Sequence, residues 1–349
     1  MKKKAAKIFC LMALFLLTAC TGLKKQPPPP TSGVYRSVDE GVTWTRRNTF
    51  VSPQGVGSLS TVSVNKIIMD PNDFKALYLL GNNEGLLYSY DAGESWMQAQ
   101  QFRGGTILSL AVDPHDKCTI YLSFGNQVYK SSDCSRNYKS VYIDSRKTSV
   151  TAVALDEFNF GVIYIGTETG EIIKSSDSGL SWTTVARLGS KIEKILIYPK
   201  DTRVIYVPTQ KKGIYKSNDS GVNWEEINEG LKQYSGSREF KDLIFVPSQD
   251  NSMILLSRYG LLKTTDGGTN WEAVELITPP LSADIRAVAV SPLNSEKIYY
   301  GTGSTFYKTE DGGQNWITSK LPTGSPASIL IINPEEPNIL YLGFKSIKQ

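Results

Sequence analysis

Short apolar runs separated by turn residues follow one another along most of the chain. A representative pair of runs occupies residues 194–198 and 204–207, joined by a turn that contains Pro199 and Asp201. Apolar runs of about four to eight residues between such turns predict β-strands. Seven pairs of this kind begin near Val64, Ile107, Val150, Ile192, Leu243, Ile285 and Ser328. The pattern therefore predicts an all-β protein built from repeated units.

A second motif accompanies the strand pairs. Residues 37–44 read SVDEGVTW, and the same order of Ser or Thr, Asp, Gly and Trp returns at residues 89–96, 175–182, 217–224, 264–271 and 309–316. A degenerate copy at residues 131–138 has Ser135 in the Gly position and Tyr138 in the Trp position. The seven copies carry Asp39, Asp91, Asp133, Asp177, Asp219, Asp266 and Asp311, together with all six tryptophans, Trp44, Trp96, Trp182, Trp224, Trp271 and Trp316. The aspartates are 52, 42, 44, 42, 47 and 45 residues apart, spacings that suit four-stranded propeller blades.

The two ends of the chain complement each other. The first motif has no strand pair before it, and the last strand pair, at residues 329–332 and 339–342, has no motif after it. Seven motifs and seven pairs match only if the two N-terminal strands complete the C-terminal blade, which also removes two open sheet edges. We therefore predict a seven-bladed β-propeller over residues 33–345.

The motif resembles the Asp box of the bacterial neuraminidase repeat superfamily. Photosystem II assembly-factor-like lipoproteins are the most similar single propellers, and sortilin-type receptors and xyloglucanase-type glycosidases share the repeat. The resemblance implies that the aspartates lie in turns between the third and fourth strands, away from any catalytic centre. A carboxylate there can accept backbone hydrogen bonds, and the Gly can take a positive φ. Seven identical groups spread around a ring cannot converge on one site, so we expect a structural role for them.

Residues 1–20 have the pattern of a signal peptide. Four lysines precede the apolar residues 8–17, and the segment ends in Leu17-Thr18-Ala19-Cys20, which resembles a bacterial lipobox. We expect lipidation at Cys20 and anchoring to the cell membrane or the outer membrane; the alternative is a secretory signal cut near Ala19. Residues 21–32 include four consecutive prolines and predict an extended linker. Without the four lysines the net charge of +4 falls to zero, which argues against a nucleic-acid partner.

The chain offers few groups for catalysis. Its only histidine, His115, lies in a predicted turn, so no metal site, cofactor site or Ser-His-Asp triad is expected. If Phe124 lies opposite Gln127 in a hairpin, position 118 falls opposite 133, and Cys118 can reach Cys134. We predict a disulfide between them, with two separate thiols as the alternative.

Strand order places the connections between blades on the face opposite the Asp boxes. We predict binding there, through exposed cations on the long segments: Arg103, Arg146, Lys147, Lys211, Lys212, Arg238 and Arg258. A mixed, solvated surface is the alternative, because Glu226, Glu229 and Glu239 are nearby in the sequence. The function expected is a monomeric, non-catalytic scaffold for another envelope or membrane protein. The rivals are a carbohydrate-binding or glycoside-hydrolysing propeller and, in a phototrophic host, a photosystem assembly factor proper.

Overall fold

The computed structural model describes residues 32–346. In this part of the chain, thirty strands form seven four-stranded antiparallel sheets and one two-stranded hairpin. The first strands along the chain are β1 (Gly33–Ser37), β2 (Thr45–Arg46), β3 (Thr49–Ser52) and β4 (Gly55–Ser58). Strands β3 and β4 form the hairpin, and every other strand belongs to a blade.

Six blades follow in chain order, each with four consecutive strands. Blade 1 contains β5 (Val64–Asp70), β6 (Asp73–Gly81), β7 (Leu86–Ser89) and β8 (Met97–Gln98), and blade 2 contains β9 (Ile107–Asp113), β10 (Asp116–Phe124), β11 (Gln127–Ser132) and β12 (Lys139–Ile143). Blade 3 contains β13 (Val150–Leu155), β14 (Ile163–Thr167), β15 (Glu171–Ser175) and β16 (Thr183–Arg187), and blade 4 contains β17 (Leu196–Ile197), β18 (Ile205–Thr209), β19 (Gly213–Ser217) and β20 (Glu225–Glu226). Blade 5 contains β21 (Phe240–Phe245), β22 (Met253–Ser257), β23 (Leu261–Thr264) and β24 (Glu272–Ala273), and blade 6 contains β25 (Ala287–Val290), β26 (Ile298–Gly301), β27 (Thr305–Thr309) and β28 (Ile317–Lys320).

Blade 7 joins the two ends of the chain. Its strand order is β2, β1, β30 (Leu340–Phe344) and β29 (Ala327–Ile332), so the N-terminal strands form its outer half. Strand β1 pairs with β30 along its whole length, with Tyr35 opposite Leu342. The predicted seven-bladed, all-β propeller closed by its N-terminal strands is confirmed.

The core consists of the seams between neighbouring blades. Seven clusters of buried apolar side chains correspond to the seven seams of the described ring. The seam between blades 7 and 1, for example, buries Tyr341 against Ile67, Leu79 and Trp96. Each blade thus covers the apolar face of its neighbour, and removing one blade would expose two seams to water.

Antiparallel pairing divides the turns between two faces. The box face carries the Asp boxes and the turns between first and second strands. The loop face carries the connections between blades and the turns between second and third strands. The hairpin β3–β4 belongs to the connection from blade 7 to blade 1, and it pairs with blade 1: Val51 N–H donates to Trp96 O (2.8 Å) and Trp96 N–H donates to Thr49 O (2.8 Å).

The predicted signal peptide, Cys20 and most of the predicted linker lie outside the described residues. Within residues 32–346, no helix has the length and apolar character that crossing a membrane would require.

Candidate functional site

The Asp boxes are turns held by their own side chains, as the box of blade 3, residues 175–182, illustrates. The buried Ser175 hydroxyl donates to Asp177 Oδ1 (2.8 Å) and accepts from Gly179 N–H (2.9 Å). Asp177 also accepts from the Ser181 backbone N–H (2.8 Å) and from the Ser181 hydroxyl (2.6 Å). The Ser181 bonds, followed by that from Ser175, lower the pKa of Asp177 to about 2. The carboxylate is therefore committed to holding its own turn.

Each box contains two successive residues with positive φ. In the box of blade 3 these are Ser178 (59°) and Gly179 (91°), and the same pair of positions is left-handed in the other six boxes. The sequence indicated only the second position, because the first is Gly only in the boxes of blades 5 and 6, at Gly267 and Gly312. Non-Gly residues accept this strained geometry because the surrounding hydrogen bonds fix the turn.

Tyr and Trp side chains join the boxes across the seams. Tyr164 of β14 donates its hydroxyl to Ser220 O (2.8 Å), which belongs to the box of the next blade. In the opposite direction, Trp182 Nε1–H donates to Val141 O (2.9 Å) on the outer strand of the preceding blade. The boxes therefore connect neighbouring blades, which is a structural task.

The degenerate box of blade 2 has local replacements for its missing Gly and Trp. The Tyr138 hydroxyl donates to Ser135 Oγ (2.9 Å), and the Tyr138 ring packs edge-on against Phe102 (4.9 Å between centroids). The structure joins Cys118 to Cys134 in a disulfide beside this box, as the strand register predicts. Disulfides persist in oxidising, extracytoplasmic compartments.

All seven cations predicted for the binding face are exposed and lie on the loop face, but they differ in their partners. Arg146 pairs with Asp144 (3.0 Å) and with the buried Glu171, and Arg258 pairs with Glu239 (3.1 Å). The Lys212 ammonium donates to Leu188 O (2.8 Å). Within the described residues no ion pair forms at the remaining four, Arg103, Lys147, Lys211 and Arg238. The structure thus separates four cations that can meet a partner from three that stabilise the loop face itself.

One hollow, the hairpin cleft, lies between the hairpin β3–β4 and the outer strands of blade 1. Its volume is about 770 Å³. Apolar side chains of the hairpin line one side and Tyr88 and Met97 the other, and Arg103 lies at its margin. Val56 is 77% exposed and Val51 is 42% exposed. No carboxylate, histidine or cysteine belongs to its lining.

A second cleft, of about 530 Å³, opens on the loop face over blades 5 and 6. It is lined by Glu239, Lys241, Arg258, Leu281 and Asp284, among others. Lys241 donates to Asp284 (2.9 Å). Burial alone would raise the pKa of Asp284, but Lys241 and then Arg286 hold it below its ordinary value.

The mouth of the central channel on the loop face contains a cavity of about 190 Å³. Its only carboxylate is Glu193, whose side chain lies 3.1 Å from the Lys191 ammonium. Lys66 donates to Leu108 O (2.9 Å) across the seam between blades 1 and 2. Burial, together with the nearby Lys194, lowers the pKa of Lys66 to about 8. This cavity has no aromatic wall.

The carboxyl groups suited to acid catalysis lie elsewhere. Burial raises the pKa of Asp70, Glu84 and Glu157. Asp70 and Glu84 lie at opposite faces of blade 1, Glu157 belongs to blade 3, and none of them lines one of the three hollows. The carboxylates that do line a hollow, Glu193, Glu239 and Asp284, each contact a cation. Glycoside hydrolysis usually needs one protonated and one ionised carboxyl group facing each other. The described residues do not bring such a pair together in any of these hollows.

His115 lies on the box face, where the sequence places it. Its Nδ1 is 3.3 Å from Asp113 Oδ1, and its ring meets the edge of Phe160 at 6.1 Å. No group of three or more His, Cys, Asp and Glu side chains within residues 32–346 is arranged to hold a metal ion.

Sequence reasoning missed two parts of the loop face. The sequence analysis did not predict the hairpin β3–β4. The 52-residue spacing between the first two boxes is the longest of the six and indicates an insertion there. The residues that join β24 to β25, which supply Leu281 and Asp284 to the second cleft, contain Pro279 and Pro280. The long segment between β24 and β25, with its two consecutive prolines, was the sequence feature from which this part of the loop face could have been predicted.

The ring, its boxes and its closure define the chain as an Asp-box seven-bladed β-propeller. Two family models match parts of it: one described as sortilin, neurotensin receptor 3, over residues 170–275, and one described as photosynthesis system II assembly factor YCF48, over residues 233–341. The predicted resemblance to both families is confirmed.

Individual relatives come from both a non-enzymatic and an enzymatic class. A probable oligoxyloglucan-reducing end-specific xyloglucanase of Neosartorya fischeri is 26% identical over 190 residues, which is 48% of this chain and 23% of that protein. The GH74 enzyme of Niastella koreensis superposes with a TM-score of 0.66 at 17% identity, over 81% of this chain and 51% of its own. YCF48 bound to D1 peptide superposes with a TM-score of 0.61 at 16% identity, over 82% and 94%. The chain thus spans about half of the GH74 enzyme and nearly all of YCF48.

Proposed function

We propose that this protein is a lipid-anchored, extracytoplasmic, non-catalytic propeller that binds an extended segment of another envelope or membrane protein on its loop face. The hairpin cleft carries this proposal. It combines exposed apolar side chains, accessible main chain and one cation without an ion pair, Arg103. Such a surface suits a peptide, because apolar pockets supply affinity and strand edges supply main-chain hydrogen bonds.

Two further observations support a binding role. The disulfide of blade 2 fits an oxidising compartment, and a neighbour that this chain covers almost fully was solved with a peptide bound. YCF48 is a photosystem factor by its description, and an equivalent partner for this chain would require a phototrophic host.

Substitutions that introduce a negative charge on each of the two faces test the proposal. Val56→Glu and Arg103→Glu alter the hairpin cleft, and Leu180→Glu alters a side chain that is 89% exposed on the box face. After crosslinking in intact membranes and mass spectrometry, the first two variants are expected to lose the partner that wild type recovers. Leu180→Glu is expected to keep it. Equal recovery by all three variants would refute binding in the cleft.

Among the other predicted cations, Arg238→Glu is a clean probe of the loop face, because Arg238 makes no ion pair among the described residues. Arg146→Glu is not, since it would leave the buried Glu171 facing a second carboxylate. Arg146 is half-exposed and Arg187 stays 2.9 Å from Glu171, so the loss of stability is smaller than for a fully buried pair, but lost binding there would still report altered structure.

A glycoside hydrolase is the second candidate, favoured by the likeness to a xyloglucanase over 190 residues. The linings of the three hollows oppose it, because the hairpin cleft has no carboxylate and those of the other two hollows are ion-paired. Incubation of the purified protein with xyloglucan oligosaccharides, followed by mass analysis of the products, decides between the two. We expect no cleavage.

A further inference from the structure

Both ends of the described chain leave the ring on the loop face. Ser32 N–H donates to Ser60 O (2.9 Å), and the Ser32 hydroxyl donates to the same oxygen (3.0 Å). At the other end, Ser346 N–H donates to Ser63 Oγ (3.4 Å). Ser60 lies two residues after the end of β4, so the N-terminal exit point lies beside the hairpin.

The chain between this exit and Cys20 is short. Eleven residues, 21–31, separate Cys20 from Ser32. At about 3.4 Å per residue they reach at most ~37 Å even when fully extended. The exit point is held by these hydrogen bonds, and Ser32 itself is buried, so the tether begins at a fixed place on the ring.

This length discriminates between the two faces. With the loop face toward a bilayer, the tether needs almost none of its reach. With the box face toward the bilayer, the tether must first run sideways from β1 to the outer edge of the ring, a distance of about two strand spacings or ~10 Å. It must then run along the side of the ring for the length of β1, about five residues or ~17 Å. The Asp-box turns lie beyond that, so nearly the whole reach is used. A tether stretched to its limit loses most of its conformational entropy.

We propose that the loop face is held toward the membrane, with the hairpin cleft beside the tether, so that the cleft receives a membrane-proximal segment of a membrane-embedded protein. This inference rests on the proposed lipidation of Cys20. It adds the orientation of the ring and excludes freely diffusing extracytoplasmic proteins as the main partner. The exposed apolar residues of the box face, such as Leu180, then point away from the bilayer.

Fluorescence quenching on the full-length lipoprotein tests the orientation. The protein is reconstituted in phosphatidylcholine vesicles that contain headgroup-spin-labelled lipid. One variant, Gln54→Cys, carries a fluorophore at the exposed tip of the hairpin, and the matched variant, Leu180→Cys, carries it on the box face. We expect several-fold stronger quenching at position 54. Equal quenching, or stronger quenching at position 180, overturns the proposal.

Two further variants separate the causes. Cys20→Ser is expected to abolish quenching at both positions; if it does not, the anchor itself is refuted, and the proposed localisation fails with it. Inserting about 30 Gly and Ser residues after Gln26 gives a flexible tether with several times the reach. The difference between positions 54 and 180 is then expected to shrink. A difference that persists with the long tether would show that the loop face binds lipid by itself, which overturns the tether as the cause.

Discussion

The first hydroxyl of each Asp box is expected to stabilise the ring more than any other box hydroxyl, and the box of blade 3 provides a matched pair of substitutions. Ser175→Ala removes a buried hydroxyl that is 1% exposed, and Ser181→Ala removes an exposed one. Both hydroxyls contact the same carboxylate, Asp177. The two variants therefore differ mainly in what happens to the backbone.

The magnitudes follow from the hydrogen bonds that remain. In Ser175→Ala the buried Gly179 N–H loses its acceptor at 2.9 Å, and the methyl group leaves no room for water. An unsatisfied buried donor costs about 1–3 kcal/mol, so we expect a loss of about 2 kcal/mol. In Ser181→Ala the backbone N–H still donates to Asp177 (2.8 Å), and the exposed hydroxyl is replaced by solvent. We expect a loss below ~1 kcal/mol.

Urea denaturation followed by tryptophan fluorescence measures both free energies of unfolding. The reasoning requires a larger loss for Ser175→Ala, with unchanged dependence on urea concentration. Losses of equal size, or a larger loss for Ser181→Ala, would show that the buried hydroxyl is not what holds the turn.

Three further outcomes are expected. Deleting β30, Leu340–Phe344, removes the strand that pairs with β1 and so opens the ring. We expect the urea unfolding transition to become broader and to shift to a lower urea concentration than in wild type. An unchanged midpoint would contradict ring closure. Replacing Cys118 and Cys134 by Ala should lower the free energy of unfolding by about 3 kcal/mol in the chain-entropy model, and the loss should vanish when wild type is measured under reducing conditions. Because the pKa of Asp177 and of Asp311 is lowered to about 2 from an ordinary 3.8, their stabilisation is complete above pH ~4 and is lost as the pH falls towards ~2. Denaturation midpoints measured across this range should fall, and Asp177→Asn should flatten the fall.

The repeat made the fold predictable from the sequence. The hairpin cleft on the loop face was not predictable, because it depends on contacts that a repeat does not encode. Seven motifs at near-constant spacing fixed the number of blades, and the unmatched ends fixed the closure through β1 and β30. The cysteine pair followed from the hairpin register of blade 2. Binding on the loop face stays a prediction, and the sequence did not include the hairpin cleft in it, because the cleft arises where β3 meets the backbone of Trp96, 46 residues further along the chain.

The sequence by itself determined the ring, the box turns and the disulfide, because each depends on local turn chemistry and on a period that is visible in one dimension. The tertiary structure decided which loop-face charges are available to a partner. Arg146 and Arg103 look alike in the sequence, yet one is paired with the buried Glu171 and the other borders an open cleft. Only the structure showed that Ser32 leaves the ring beside that cleft, since hydrogen bonds from Ser32 to Ser60 are set by how distant parts of the chain pack together.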